Sequence, residues 1–343
     1  MRKLATIRKI DKIEPIEGAD KIELAHVGGW KVVVAKNVGH KQGDKIVYCE
    51  IDSFLPLEPE FEFLKKSSYK RTPNGKEGYR LKTIRLLGQI SQGLIISLSD
   101  AINIIKRRNG DVYGEMLEEG KDISQLLGIV KYVPPIPAQL QGTTKRYFPS
   151  FISKTDEERV QNLTKEYQDW KNKGKSFYAT EKLDGSSATF YLKDGEFGVC
   201  SRRLELKEDP KNTFWKVARG LLIEEKLRKL NRNLALQGEL VGEGIQKNPY
   251  KISGHTVYVF NVFDIDKFEK LPIQESEKII KDLNLHFVPI VMDKFELPEN
   301  VDQMLKLAEG KSKLNPNIER EGVVVRSFDN SISFKAISNK FLI

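Results

Sequence analysis

Residues 181–187 read Glu181-Lys182-Leu183-Asp184-Gly185-Ser186-Ser187, directly after the strand-like run Phe177-Tyr178-Ala179-Thr180. A lysine at a strand end, a carboxylate two residues on and a neighbouring glycine suit attack on a phosphate. The amine acts as a nucleophile only when deprotonated, so its pKa must fall well below the ordinary value of about 10.4. Nearby cations, a bound metal included, push it that way. Gly185 permits a tight turn and a close approach to a ligand. Taken alone, the same residues also describe a surface Asp-Gly turn that follows an incidental lysine.

Five further stretches lie downstream. Leu236-Gln237-Gly238-Glu239-Leu240-Val241-Gly242 places one acid in a strand flanked by glycines, and Glu321-Gly322-Val323-Val324-Val325-Arg326 places another at the head of an apolar strand. A carboxylate beside a buried strand is costly without a partner, and a metal ion or its waters would supply one. Val259-Phe260-Asn261-Val262-Phe263-Asp264 is a strand bearing aromatics, and Ser333-Phe334-Lys335-Ala336-Ile337-Ser338 puts a lysine in a strand. Ser201-Arg202-Arg203 follows the strand after the lysine motif. Each stretch has an ordinary reading by itself: a sheet-edge charge, a core phenylalanine, a solvated lysine. Their order along the chain is the signal.

Around these stretches the second part of the chain alternates helix and strand. Asp156 to Lys173 reads as a helix with Thr155 as its N-cap, and Phe214 to Leu230 has the helical spacing of Trp215, Ala218, Leu222 and Leu227. Gly322 to Arg326 and Ile332 to Ile337 read as a hairpin around Asp329-Asn330. Residues 1–130 are different: short strands separated by turns. Ile22 to Val27 and Trp30 to Ala35 flank Gly28-Gly29 as a hairpin, and strands follow at Ile46 to Ile51, Tyr79 to Leu87 and Gly93 to Leu98. That pattern predicts a small barrel or sandwich. Residues 131–150 carry Pro134, Pro135, Pro137 and Pro149, which continue neither a helix nor a central strand, and read as the connection.

The whole chain has 343 residues, enough for about two domains. Lys+Arg exceed Asp+Glu by 57 to 48, a net charge of +9 that favours polyanionic partners. Residues 1–130 hold +4 of it and the remainder +5, so neither part is a basic tail. No apolar run approaches the ~18 residues that span a bilayer, and no hydrophobic signal core follows the basic N-terminus. Cys49 and Cys200 are too few for a disulfide scaffold and form no C-x-x-C zinc site, which points to a reducing cytoplasm.

In this order, Lys182-Leu183-Asp184-Gly185, Arg202, Glu239, Phe263-Asp264, Glu321-Gly322 and Lys335 resemble motifs I, Ia, III, IIIa, IV and V of the covalent nucleotidyltransferases, the superfamily of polynucleotide ligases and capping enzymes. Capping enzymes and most DNA ligases carry an OB domain after motif V. Only eight residues follow Lys335 here, and the β-rich part precedes motif I, as in the RNA ligase family typified by the Naegleria enzyme. Phe148 to Asn162 also resembles the lead-in of RNA ligases. The resemblance implies an α+β chain: an OB-fold β-barrel over residues 1–130, a linker over 131–150, and over 151–343 a nucleotidyltransferase (ATP-grasp-like ligase) domain of antiparallel sheets flanked by helices.

It further implies an ATP-dependent RNA ligase that seals 3′-OH and 5′-phosphate ends through lysyl-AMP and an adenylylated 5′ end. Lys182 would be the nucleophile, with Lys335 and Arg202 catalytic. Glu181, Lys182, Arg202, Glu239, Phe263 and Lys335, together with Lys154 and Arg159, would bind ATP, Phe263 by stacking on adenine. Asp184, Glu239 and Glu321 would hold Mg²⁺ or Mn²⁺. The implied partners are RNA ends, those of a nicked duplex included, with no membrane and a monomeric chain. One departure concerns motif V: many members have a second lysine where this chain has Ile337, which leaves Lys340 as its only nearby substitute. Two other readings compete. One is a DNA nick ligase or GMP-transferring enzyme. The other is a non-catalytic RNA-binding protein that uses Trp30, Tyr79, Arg80, Lys82 and Arg85 of the OB domain.

Overall fold

A computed structural model describes residues 3–72, 75–110, 117–134 and 142–342, and the chain divides into two compact units, Met1–Pro135 and Ile136–Ile343. In the first unit the predicted hairpin forms: Ile22–Val27 and Trp30–Ala35 pair antiparallel, and both turn glycines take positive φ, 54° at Gly28 and 82° at Gly29. Lys12–Pro15 extends this pair to three strands, and a second sheet places Lys45–Cys49 between Ala5–Lys9 and Leu94–Ser97. The run from Tyr79 to Leu87 is two strands rather than one, Glu77–Arg80 and Thr83–Leu86. The result is an OB-like β-sheet region. Trp30 is 0% exposed and stacks on Tyr48, and Tyr79 is 3% exposed, so these two aromatics are core rather than platforms for bases.

The second unit is built on two sheets, antiparallel except where one short strand joins the larger sheet in parallel. Its strands are β1 (Thr144–Tyr147), β2 (Ser176–Lys182), β3 (Ser186–Lys193), β4 (Glu196–Ser201), β5 (Leu204–Leu206), β6 (Leu234–Gly242), β7 (His255–Asp264), β8 (Glu269–Lys270), β9 (His286–Phe287), β10 (Ile290–Glu296), β11 (Gly322–Ser327) and β12 (Ser333–Ile337). The larger sheet has the order β1-β5-β4-β3-β6-β7-β8, with β9 also on β7, and the smaller has the order β10-β2-β11-β12. Within the proline-rich stretch, Thr144–Tyr147 thus forms an edge strand, where unpaired N–H groups are tolerated; Pro135 and Pro137 lie outside the described residues.

Each sheet buries one face under helices. Thr213–Gly220 and Ile223–Lys229 pack Trp215, Ala218, Ile223 and Leu227 onto Ala188, Phe190, Leu236 and Val259 of the larger sheet. These are two helices where the spacing predicts one, because Leu222 between them has φ +53° and a continuous right-handed helix has no place for it. Val301–Ala308, capped by Asn300, lays Val301, Met304, Leu305 and Ala308 at helical spacing against Phe177, Ala179, Val323 and Val325 of the smaller sheet. The helix predicted over 156–173 starts only at Thr164 and ends at Asn172. Thr155 does not cap it: its hydroxyl bonds Ser187, Asp156 pairs with Arg202, and Glu157 turns inward, so the first acids are recruited elsewhere.

Candidate active site

Strand alternation decides which face Lys182 serves. Phe177 and Ala179 of β2 enter the core, whereas Thr180 and Lys182 take the other face. In register, Lys182 faces Gly322 and Thr180 faces Val324, which in turn faces Lys335. Lys182 and Lys335 therefore share one face of the smaller sheet, one step apart along the strands. The chain crosses to the larger sheet through Leu183, Asp184 and Gly185. A Cβ on Gly185 would lie 2.5 Å from the Leu240 carbonyl oxygen and 2.9 Å from the Glu239 side chain, so only glycine lets the turn lie against β6. Glu239, opposite Ser187 in β3, is brought by this contact near enough to Lys182 to feel its charge.

The Lys182 ammonium lies 2.6 Å from Glu321 Oε2, at the head of β11. Burial raises the pKa of Asp184, and the charge of Glu321 adds to it. Burial pushes Glu239 up to about 7, relieved in part by Lys182 and increased by Glu321 and Asp184. Lys335 is lowered to about 8, first by burial and then by the charges of Lys182 and Arg159. Arg159 pairs with β12 beside Lys335, whose N–H donates to the Glu158 carbonyl. Cations and carboxylates are thus packed together at a cost that bound charge would relieve.

The three acids fit a hard divalent cation by donor chemistry, since all offer carboxylate oxygen and each raises its neighbours' affinity for positive charge. Among the described residues, no three His, Cys, Asp or Glu side chains converge closely enough to hold a metal unaided. Waters and nucleotide phosphates would complete its shell, as is usual for Mg²⁺.

The remaining sequence candidates divide. Arg202 is exposed and paired with Asp156. Lys154 is exposed, one residue after Ser153, whose carbonyl accepts a hydrogen bond from Gln237. Glu181 is buried on the opposite face of β2, where its carboxylate accepts the Lys313 N–H at 2.7 Å. Lys340 is drawn off to Glu309, 3.0 Å away, and Ile337 is buried, so no second lysine joins Lys335.

Phe263 requires a correction. It is 1% exposed and packed among Ile152, Tyr191 and Ala235, with Phe268 edge-on, and has no free face for a base. The register between β6 and β7 slips at Gln237/Gly238, and Phe260 is the extra residue. The bulge packs Phe260 against Leu183, Tyr250 and Val288, Leu183 being the residue after Lys182. The Arg326 guanidinium, 2% exposed, lies 5.9 Å from the Phe260 ring centroid and donates to Thr180 Oγ1 at 3.3 Å. Glu157 accepts from Arg326 of β11, Ser333 of β12 and Lys270 of β8, and so ties the two sheets together.

The loop from β6 to β7 is strained. Gln246, Lys247 and Asn248 follow one another at φ +44°, +61° and +49°, and Lys251 lies at +55°. Left-handed backbone costs a non-glycine residue about 1–2 kcal/mol. The Asn248 side chain bonds the Ile252 N–H and carbonyl, and Asn315 donates to the Pro249 carbonyl at 2.8 Å, which hold the loop in this form. Tyr250, at its centre, accepts the Asp184 N–H at 2.6 Å, and Gln246 donates to the Gly185 carbonyl at 3.4 Å. Nothing in residue spacing announces this loop; its left-handed backbone is carried by residues that seldom adopt it.

A strand-end lysine salt-bridged to a strand-head glutamate, a second lysine on the same face and a buried acid across the turn define a covalent nucleotidyltransferase core that follows an OB-like region in sequence. A family model described as an OB-fold domain matches residues 4–98, and one described as RNA ligase matches residues 175–338. The chain is 44% identical to the Naegleria gruberi RNA ligase solved with pyrophosphate, covering 100% of this chain and 98% of that one at a TM-score of 0.81. A lysine-to-methionine variant of that ligase with AMP and manganese (TM-score 0.82) and a lysine-to-alanine variant with ATP and manganese (0.81) match at the same identity over 99% of this chain and 98% of theirs. No relative matches among the curated proteins. The chain belongs to the Naegleria-type family of ATP-dependent RNA ligases, covalent nucleotidyltransferases with an N-terminal OB domain. Among the described residues no helix is long and apolar enough to cross a membrane.

Proposed function

We propose that this chain joins RNA 3′-OH and 5′-phosphate ends with ATP, and that the residues gathered around Lys182 carry out the chemistry in defined roles. The observation that carries the assignment is the 2.6 Å contact between Lys182 and Glu321 on the face that also holds Lys335. Lys182 surrenders a proton, for which Glu321 is the nearest acceptor. Its Nζ then forms a bond to the α-phosphorus of ATP as the bond to pyrophosphate breaks. An oxygen of the RNA 5′-phosphate next attacks the AMP phosphorus and frees Lys182. Finally the 3′-OH of the second end attacks the 5′ phosphorus, and AMP departs. Lys335 and Arg159 face the transferring phosphate; Arg202 and Lys154 meet outer phosphates or the RNA end. Phe260 takes the stacking role that the sequence suggests for Phe263. Glu181 acts from the far side of β2, by fixing the strand through Lys313. Asp184, Glu239 and Glu321 would hold Mg²⁺ or Mn²⁺, which when bound neutralises charge on the phosphates.

The organisation we propose keeps residues 1–130 as the OB domain, 131–150 as a connection whose Thr144–Tyr147 stretch docks as edge strand β1 on the catalytic sheet, and 151–343 as the catalytic domain, acting as a monomer in the cytoplasm on RNA ends that include nicks. Incubation with labelled ATP or GTP and manganese, followed by a denaturing gel, tests the nucleotide; matched RNA and DNA nicks test the polymer. Labelling by GTP alone, or sealing of DNA nicks alone, would sink the assignment.

Two outcomes follow from the site. Phe260→Ala should weaken ATP half-saturation of adduct formation by about tenfold, the worth of one stacking contact, with little change in melting temperature. Phe263→Ala should instead lower the melting temperature, by ~3 kcal/mol of lost packing, with ATP half-saturation unchanged in the folded fraction. Lys335 must be protonated to attract phosphate, and its pKa of about 8 makes that charge fade as pH rises through this value. ATP half-saturation should therefore rise between about pH 7.5 and 9 in the native protein, by severalfold, and Lys335→Met should flatten this dependence.

A further inference from the structure

Resting on the reading above, we propose that Tyr250 is a positioning residue for nucleotidyl transfer, holding through its hydroxyl the turn that sets the nucleophile against the opposite sheet. Lys182 belongs to the smaller sheet and Glu239 to the larger, and only Leu183, Asp184 and Gly185 join β2 to β3. The placement of these two groups therefore depends on the conformation of that three-residue turn. From the inside it is fixed by the lack of room for a side chain at Gly185. From the outside it is fixed by one loop: Tyr250 accepts the Asp184 N–H at 2.6 Å, and Gln246 donates to the Gly185 carbonyl. The two bonds take one peptide group on each side of the Asp184–Gly185 link.

The phenol is suited to this task. Tyr250 is buried with Leu183, Val241 and Val288, so its ring cannot drift. The left-handed run from Gln246 to Asn248 is the backbone that delivers Tyr250 to this point, and strain of that kind is retained where the surrounding structure over-determines it. A displaced turn would leave ATP bound but hold Lys182 Nζ away from the phosphorus, so the hydroxyl should matter for the transfer rate and not for affinity.

Single-turnover formation of the ATP-derived lysine adduct distinguishes these effects. In Tyr250→Phe, which keeps the packing, the rate at saturating ATP should fall about tenfold or more, with ATP half-saturation within about twofold of native. The Asp184 amide of the native protein should also exchange slowly with solvent, a readout that requires no variant. A Phe variant as fast as native, with Tyr250→Leu slower, would reduce Tyr250 to packing and overturn the inference, as would rapid Asp184 exchange or a defect confined to ATP half-saturation. Absence of any adduct in the native protein would overturn the underlying functional reading together with this one, whereas a normal native adduct with an unaffected Phe variant removes this inference alone.

Discussion

Lys182→Ala should abolish the covalent ATP-derived adduct, with a loss of at least about a thousandfold, while the protein still binds ATP. Lys335, the other lysine placed on this face, lies two strands away and two residues along in register, so it does not occupy the position of Lys182. Lys182→Arg should be as inactive, since a guanidinium stays protonated at any workable pH. Denaturing-gel labelling reads the adduct, and equilibrium binding of a non-hydrolysable ATP analogue reads the retained affinity. A labelled band in the alanine variant would assign the nucleophile elsewhere. The variant should also be slightly destabilised: Glu321 loses the partner at 2.6 Å, and for a pair that retains some solvent contact this costs about 1 kcal/mol.

Glu239→Gln should separate activity from stability in opposite directions. The rate of adduct formation should fall by about a hundredfold or more, because the amide brings no charge to a divalent cation. The unliganded protein should become more stable at pH 8. The sign follows from the pKa of about 7, raised above the ordinary 4.5 chiefly by burial. The folded state binds the proton more tightly than the unfolded one. The stability from that proton is fully present below about 4.5 and is lost progressively as pH rises to about 7; above that the buried charge is a standing cost. Allowing for partial solvent access, its removal should stabilise by about 2 kcal/mol at pH 8 and by little at pH 4. Melting temperatures of the two proteins at both pH values measure this. Equal melting at pH 8 would mean that Lys182 already neutralises the carboxylate.

The chemistry-bearing residues were legible because their types are demanded. A phosphate-attacking amine, a second cation and carboxylates at strand ends have few substitutes, and Lys182, Asp184, Glu239, Glu321 and Lys335 were nameable as candidates from type and order once the resemblance to the covalent nucleotidyltransferases was drawn. What escaped is set by register and backbone sign. Period-two alternation cannot foresee the slip at Gln237/Gly238, so the aromatic beside the nucleophile could be Phe260 or Phe263, and the nearer match to a motif was the buried one. Leu222 at φ +53° broke a helix that the apolar spacing would have continued. Thr155 and Asp156 looked like a helix start because their alternative partners, Ser187 and Arg202, are more than thirty residues away in the chain. Tyr250 was invisible for the same reason, being tied to Asp184 by a bond across 66 positions.

The ion pair at the nucleophile joins positions 139 apart, and Glu321 heads a strand that lies between β2 and β12. A ribosome reaches Lys182 well before it reaches Glu321 and Lys335. While the chain is being made, the lysine therefore has neither its proton acceptor nor its neighbouring strand, and contacts of such long range form late in folding. A product truncated before Glu321 lacks both this residue and Lys335 and leaves Lys182 without its ion-pair partner.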